Sequence, residues 1–297
     1  MAGRPIPAAG ADDAVFLAHL ADLAEKSEWE TAVSSFLTGR ECRLAAAEAA
    51  REKYAGRLFF WGGCRGAMRR TAVILPPWVD LSTLPRGAGQ GASPLSLPPD
   101  PLTPEREDVL LAAMREELDG GAVRERIAAV RVSGSGYKTL THRDFFGAVM
   151  ATGVRRDAIG EVAVLSPREA VVFAERRVAL YLTESLTAVG ADTVRATLFD
   201  VPEDFSVPRR FKPVTGTVQS ARLDGVVHAL CDLSREKAAA LVSHGDVVLN
   251  DFPATAGDAP VEPGDVIAVR GYGKFIIDGV SDVTKKGRIR LAARKFS

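Results

Sequence analysis

The sequence predicts an α+β protein in three parts: a helical N-terminal region over residues 1–56, an α/β middle domain over 57–205 and a small α+β domain over 206–297. Three observations carry this reading. Apolar residues recur at helical spacing near the N-terminus. Strand-like and helix-like segments alternate from about residue 57 to 200, as when helices pack on a sheet. After a proline-interrupted stretch over 201–213 the pattern restarts with two short amphipathic helices and then strands. With 297 residues the chain also exceeds one ordinary domain of about 100 to 200 residues.

In order, Phe16, Leu20 and Leu23 share one helical face, and Trp29, Val33, Phe36 and Leu37 form a second stripe at helical spacing, so both are expected in helices with their aromatics in the core. Residues 58–61 and 71–75 read as strands around a loop with Gly62, Gly63 and Gly66. Residues 82–104 are crowded with Pro, Gly and Ser and read as a flexible insertion, followed by a helix over 105–118. Residues 127–132 form a strand, and Thr141 with Asp144 three residues later is a capping-box pattern opening a helix that Gly153 stops. Residues 162–165 and 170–173 pair around a Ser166-Pro167 turn, 175–189 is a helix and 194–199 a strand. Leu223, Val226, Val227 and Leu230 then make one helical stripe, Ser234 caps a second helix, and strands follow at 247–249, 266–269, 275–277 and 288–291.

The three cysteines and four histidines suggest no disulfide framework and no ligand set at metal spacing, so neither metal nor cofactor is expected. The longest apolar stretches fall far short of the roughly 20 residues of a membrane helix. The N-terminus lacks the apolar core of a secretory signal, so a cytoplasmic protein is expected. Net charge is zero, but residues from 206 onward hold 14 Lys/Arg against 10 Asp/Glu, a net of +4. Lys285, Lys286, Arg288, Arg290, Arg294 and Lys295 end the chain with no acid among them, a footprint for a polyanion.

Arg222-Leu223-Asp224, then Ser234-Arg235-x-Lys237-Ala238-x-x-Leu241-Val242-x-x-Gly245-x-Val247-x-Leu249-Asn250 and Gly264-Asp265, resemble the S4-type RNA-binding domain of ribosomal proteins. A helix start at Ser234 with Arg235 and Lys237 in its first turn also suits a phosphate. Arg270-Gly271-Tyr272-Gly273-Lys274-Phe275 and residues 284–290 are similar to the YlmH-like family of S4 proteins. So are Gly62-Gly63-Cys64-Arg65-Gly66 and the segment from His142-Arg143-Asp144-Phe145-Phe146 to Arg155-Arg156-Asp157-x-Ile159-Gly160-Glu161. Cys64, where an aromatic is more usual, and the 82–104 insertion depart from the family pattern.

The resemblance implies a helical N-terminal part, a middle domain related to RNA-recognition folds (RRM-like) and a C-terminal S4 domain, in a non-catalytic protein that binds rRNA or tRNA. The partner it implies is the large ribosomal subunit, with a role in rescue of stalled ribosomes carried by analogy alone. The expected RNA contacts are Arg222, Ser234, Arg235, Lys237, Asn250, Arg270, Tyr272, Lys274, Lys285, Lys286 and Arg288, with Tyr272 available to stack. His142, Arg143, Arg155 and Arg156 form a possible second RNA surface, or else a loop held by Asp144 and Asp157. A monomer is expected.

Three catalytic look-alikes do not hold. His142-Arg143-Asp144 resembles a kinase catalytic loop, but the required Asn is Val149 and no Asp-Phe-Gly occurs. Residues 134–139 lack the four-residue spacer of a phosphate loop. Arg222-Leu223-Asp224 is similar to the catalytic motif of S4-bearing pseudouridine synthases, yet only about 70 residues follow Asp224. An RNA-modifying enzyme that uses the S4 domain for delivery is the alternative, and a protein-interaction module a third reading.

Overall fold

The computed structural model describes residues 11–52, 54–78, 121–283 and 287–296, in two compact units, Met1–Pro208 and Arg209–Ser297. The expected insertion over 82–104, the helix over 105–118, and Lys285 and Lys286 lie outside the described residues. The α+β class holds.

Unit 1 opens with α1 (Ala11–Lys26), β1 (Ala32–Leu37), α2 (Gly39–Arg51), β2 (Leu58–Trp61) and β3 (Arg70–Ile74). The strands form an antiparallel sheet in the order β1-β3-β2. Helices α1 and α2 cover it through Leu20, Cys42, Ala45 and Ala49, which meet Leu58, Phe60 and Ile74. Thr38 caps α2 in a reciprocal box with Glu41.

The stripe of Val33, Phe36 and Leu37, expected to be helical, is strand β1. Its pairing with β3 shifts register between Val33 and Phe36. An extra residue in one strand puts side chains three apart on a common face, which imitates helical spacing. Trp29 is correspondingly not core; it is 82% exposed.

The rest of unit 1 is built from α3 (Ala122–Arg126), β4 (Ile127–Gly134), α4 (His142–Ala151), β5 (Ile159–Ser166), β6 (Glu169–Glu175), α5 (Arg176–Ser185), β7 (Ala188–Val189) and β8 (Asp192–Phe199). Apart from the two-residue β7, the order from β4 to β8 is βαββαβ, and the antiparallel sheet has the order β5-β6-β4-β8-β7. The helix expected over 175–189 ends at Ser185, and its last residues form the short β7.

Alternation gives each strand two faces. One face, with Val130, Val132, Val162, Val172 and Ala174, is covered by α4 and α5 through Phe145, Val149, Ala179 and Leu182. The other, with Ala129, Ala163, Val171 and Phe173, is also covered. Phe36 of β1, Cys64, Ala67, Val201, Phe205 and Val207 pack on it. Phe205 sits between Phe173 and Phe199, with ring centroids 5.9 and 5.8 Å away. Its segment is tied down where the Val207 N–H donates to the Arg65 carbonyl at 3.1 Å.

Unit 2 consists of β9 (Phe211–Val218), α6 (Leu223–Cys231), α7 (Arg235–Ser243), β10 (Val247–Leu249), β11 (Phe252–Pro253), β12 (Val266–Val269), β13 (Gly273–Val283) and β14 (Ile289–Phe296). The sheet order is β11-β10-β12-β13-β14-β9, antiparallel throughout. Leu223, Val226, Val227, Ala238 and Val242 bury against Val247, Ile267, Phe275, Ile277 and Leu291. Strand β9 was not foreseen because Pro213 interrupts its sequence. It lies at the sheet edge, where a missing N–H costs no ladder bond.

Candidate nucleic-acid interface

In unit 2 the end of β9 and the first turns of α6 and α7 border a cleft of about 470 Å³. Arg222, Arg235 and Arg288, three of the expected RNA contacts, line it together with His228, Asp224 and Glu236. Each arrives by a local rule. Arg222 is the extended N-cap of α6, and Arg235 is the first residue of α7. Arg288 immediately precedes β14.

The two helix starts differ. At α6 the Leu223 and Asp224 N–H groups donate to the carbonyls of Ala259 and Gly257, both at 2.9 Å, and the Gly225 N–H donates to Asp224 Oδ1 at 2.7 Å. Its first-turn donors are therefore taken. At α7 the Ser234 hydroxyl accepts from the Lys237 N–H at 3.2 Å. Ser234, Arg235 and Lys237 are all exposed there, and Glu236 in the same turn offsets part of the positive charge.

Arg222 also binds Asp224, Nε to Oδ1 at 3.2 Å and Nη2 to Oδ2 at 2.8 Å. That guanidinium is the main reason the Asp224 carboxyl is held below the usual carboxylate range. An aspartate so engaged is an electrostatic anchor for a helix start.

The remaining expected contacts of unit 2 among the described residues do not line the cleft. Arg270 and Tyr272 are exposed in the β12–β13 turn, where Gly271 and Gly273 take positive φ values of 81° and 115°. Arg270 pairs with Asp246 at 3.2 Å, and Lys274 is half-buried with Asp251 at 4.0 Å. Asn250 turns inward. Its Nδ2 donates to Asp265 Oδ1 at 2.7 Å and its Oδ1 accepts from the Val266 N–H at 2.9 Å. With φ of 52° at Asn250 and 68° at Asp251, this is the tight turn between β10 and β11, a role that asparagine suits through its tolerance of left-handed backbone.

In unit 1, α4 starts as expected. Asp144 Oδ2 accepts from the Thr141 N–H at 2.8 Å and from its hydroxyl at 2.6 Å, which draws the carboxyl below its ordinary range. His142 and Arg143 are exposed in that first turn, and the His142 ring stacks on Phe146 with centroids 6.1 Å apart. Arg156 lies over Phe146 at 4.7 Å and donates to the Ile159 carbonyl at 2.8 Å. Burial, with Arg69 nearby, lowers its pKa to about 10. Arg155 is bound by Asp157, so the four residues do not form one free basic face. Sequence reasoning passed over Tyr137, 79% exposed on the loop after β4. The only available signal was its place in a Gly-Ser-Gly turn.

Residues 127–203 match a family model described as "Putative RNA-binding domain in YlmH". That bears out the resemblance to YlmH-like proteins and makes residues 127–203 similar to a domain of RNA-binding type. The chain is 25% identical over 235 residues to "Ribosome-associated protein quality control protein P2" of Bacillus subtilis (strain 168), covering 79% of this chain and 76% of the relative. Among solved structures it is similar to "Cell division protein ylmH from Streptococcus pneumoniae", at 13% identity and a TM-score of 0.44, over 68% of this chain and 99% of that one.

Proposed function

We propose that this chain, with its YlmH-type middle domain, is a non-catalytic cytoplasmic RNA-binding protein that docks as a monomer on structured RNA of the large ribosomal subunit. In this reading residues 206–297 are an S4 domain and the docking face, the part of unit 1 from β4 to β8 is an RRM-like domain, the sheet β1-β3-β2 with α1 and α2 is a supporting N-terminal region, and the outcome is rescue of stalled ribosomes. The observation that carries it is the convergence of Arg222, Arg235 and Arg288 on one cleft. Arginine forks match phosphate geometry, and phosphate contacts position a protein on RNA. The name of the B. subtilis relative supports the ribosomal partner. The engagement of Asp224 by Arg222 and the Gly225 N–H supports an anchoring role over a nucleophilic one.

The test is sedimentation of cell extract through sucrose gradients at low and moderate salt, comparing wild type with the double variant Arg235→Glu, Lys237→Glu. Wild type is expected with large subunits and the variant at the top. If both stay at the top at low salt, the ribosomal reading is lost.

A further inference from the structure

We propose that the loop over residues 134–139 is a second RNA contact, with Tyr137 stacking on a base of a single-stranded or looped segment and Lys138, Arg143 and Arg168 meeting its phosphates. This rests on the reading of the chain as an RNA-binding protein and locates where the middle domain takes part.

The argument begins with what is closed. In βαββαβ domains that bind RNA, aromatics on the sheet face opposite the helices stack on bases. Here Phe173 and Phe199 occupy that face, but Phe205 of the same chain lies against both, and Phe173 is fully buried. Phe173 is closed to a base and Phe199 is partly covered, which turns attention to the rim of this domain.

The rim carries an aromatic that is exposed yet pinned. Tyr137 is 79% exposed, but its loop is tied by three backbone bonds to two neighbouring segments, the β5–β6 turn and β8. The Gly134 N–H donates to the Arg168 carbonyl at 2.7 Å, the Ser135 N–H to Thr193 at 3.1 Å and the Leu140 N–H to Pro167 at 2.6 Å. Ser135 accepts from the Tyr137 N–H at 3.2 Å and bonds through its hydroxyl to Asp192, which is 1% exposed. Asp192 Oδ2 has no hydrogen-bond partner among the described residues and lies 2.8 Å from where a Cβ on Gly134 would stand. An aromatic carried on a tethered backbone and open to water offers stacking area at reduced ordering cost.

Cations flank the loop. Lys138 follows Tyr137 directly, Arg143 stands in the first turn of α4, and both draw the Asp144 carboxyl down. The Arg168 side chain runs past Gly136, 3.6 Å from a notional Cβ there. All three are exposed, with no acidic partner among the described residues. The acids facing them, Asp144 and Asp192, are committed to Thr141 and Ser135. Interleaved cations and an aromatic are how proteins hold unpaired RNA.

The test uses the full chain and a short unstructured RNA carrying one 2-aminopurine, whose fluorescence is quenched on stacking. Wild type is expected to bind and quench. Tyr137→Ala should lose roughly tenfold in affinity and the quench, while Tyr137→Phe keeps both. Unchanged far-ultraviolet circular dichroism would confirm that the variants fold. If wild type binds structured ribosomal RNA through Arg235 and Lys237, yet Tyr137→Ala leaves binding and quench of the single-stranded probe unaltered or wild type does not bind that probe, this proposal alone falls. If wild type binds neither RNA, proposal and reading fall together.

Discussion

The ring of Phe36 fills the place a side chain at residue 160 would take: a Cβ built on Gly160 would stand 2.4 Å from the nearest ring carbon. Phe36 belongs to β1 and Gly160 to β5, so this contact joins the two sheets of unit 1. Gly160→Ala is therefore expected to force the ring aside and lower stability by roughly 1–3 kcal/mol, read from denaturant unfolding. Shrinking the ring with Phe36→Leu in the same chain should return part of the loss, a coupling that a double-mutant cycle measures. Additive effects of the two changes would contradict the contact.

A second expectation concerns the Arg222–Asp224 pair. The depressed Asp224 carboxyl means that the pair's stabilisation is complete above the ordinary carboxylate range and fades only as pH drops through the lowered value. At neutral pH Arg222 is thus partly held back from RNA. Asp224→Asn should release it and steepen the dependence of log Kd on log salt by about 0.9, one further phosphate. A slope that is unchanged or shallower would remove Arg222 from the contact set.

Ser234 and its neighbours separate stability from binding. Ser234→Ala deletes the acceptor of the Lys237 N–H and should cost about 1 kcal/mol in unit 2, seen as a lower Tm. Arg235→Ala and Lys237→Ala leave exposed positions and should change stability by less than about 0.5 kcal/mol. Each should instead flatten the salt dependence by about one phosphate contact. Equal losses of Tm across the three variants would show that the charges serve the fold.

Asn250 is expected to behave as a fold residue. Asn250→Ala removes both bonds of its amide, to Asp265 and to the Val266 N–H, and places alanine at a left-handed backbone position. The loss should be roughly 1–3 kcal/mol. RNA affinity measured well below the variant's Tm should stay within about twofold of wild type, since the amide faces inward. A selective fall in affinity with no loss of Tm would return Asn250 to the interface.

These residues also show what could be read in advance. The caps Thr141 and Ser234 were legible because a capping signal lies within four residues of chain and does not depend on the fold. Strand β1 was misread because a bulge turns period two into apparent period three. Strand β9 was missed because Pro213 speaks against a strand until its edge position is known. For the site, Arg222, Arg235 and Arg288 could be named as candidates from the sequence, but their meeting at one cleft depends on β14 lying beside β9. The commitments of Arg222, Arg270 and Arg155 to acids, and the closure of the middle sheet by Phe205, arise from contacts that no local pattern encodes.

The ladder between β9 and β14 spans eight residue pairs, from Phe211 with Phe296 to Val218 with Ile289, and so joins the first and last strands of unit 2. During synthesis β9 emerges early and waits unpaired until β14 leaves the ribosome. Such a distant pairing carries a large loop-closure cost and slows folding beyond what two short helices suggest. The completed sheet that supports the arginine cleft therefore forms only once residues 289–296 have emerged, and a nascent chain halted before residue 289 cannot display it.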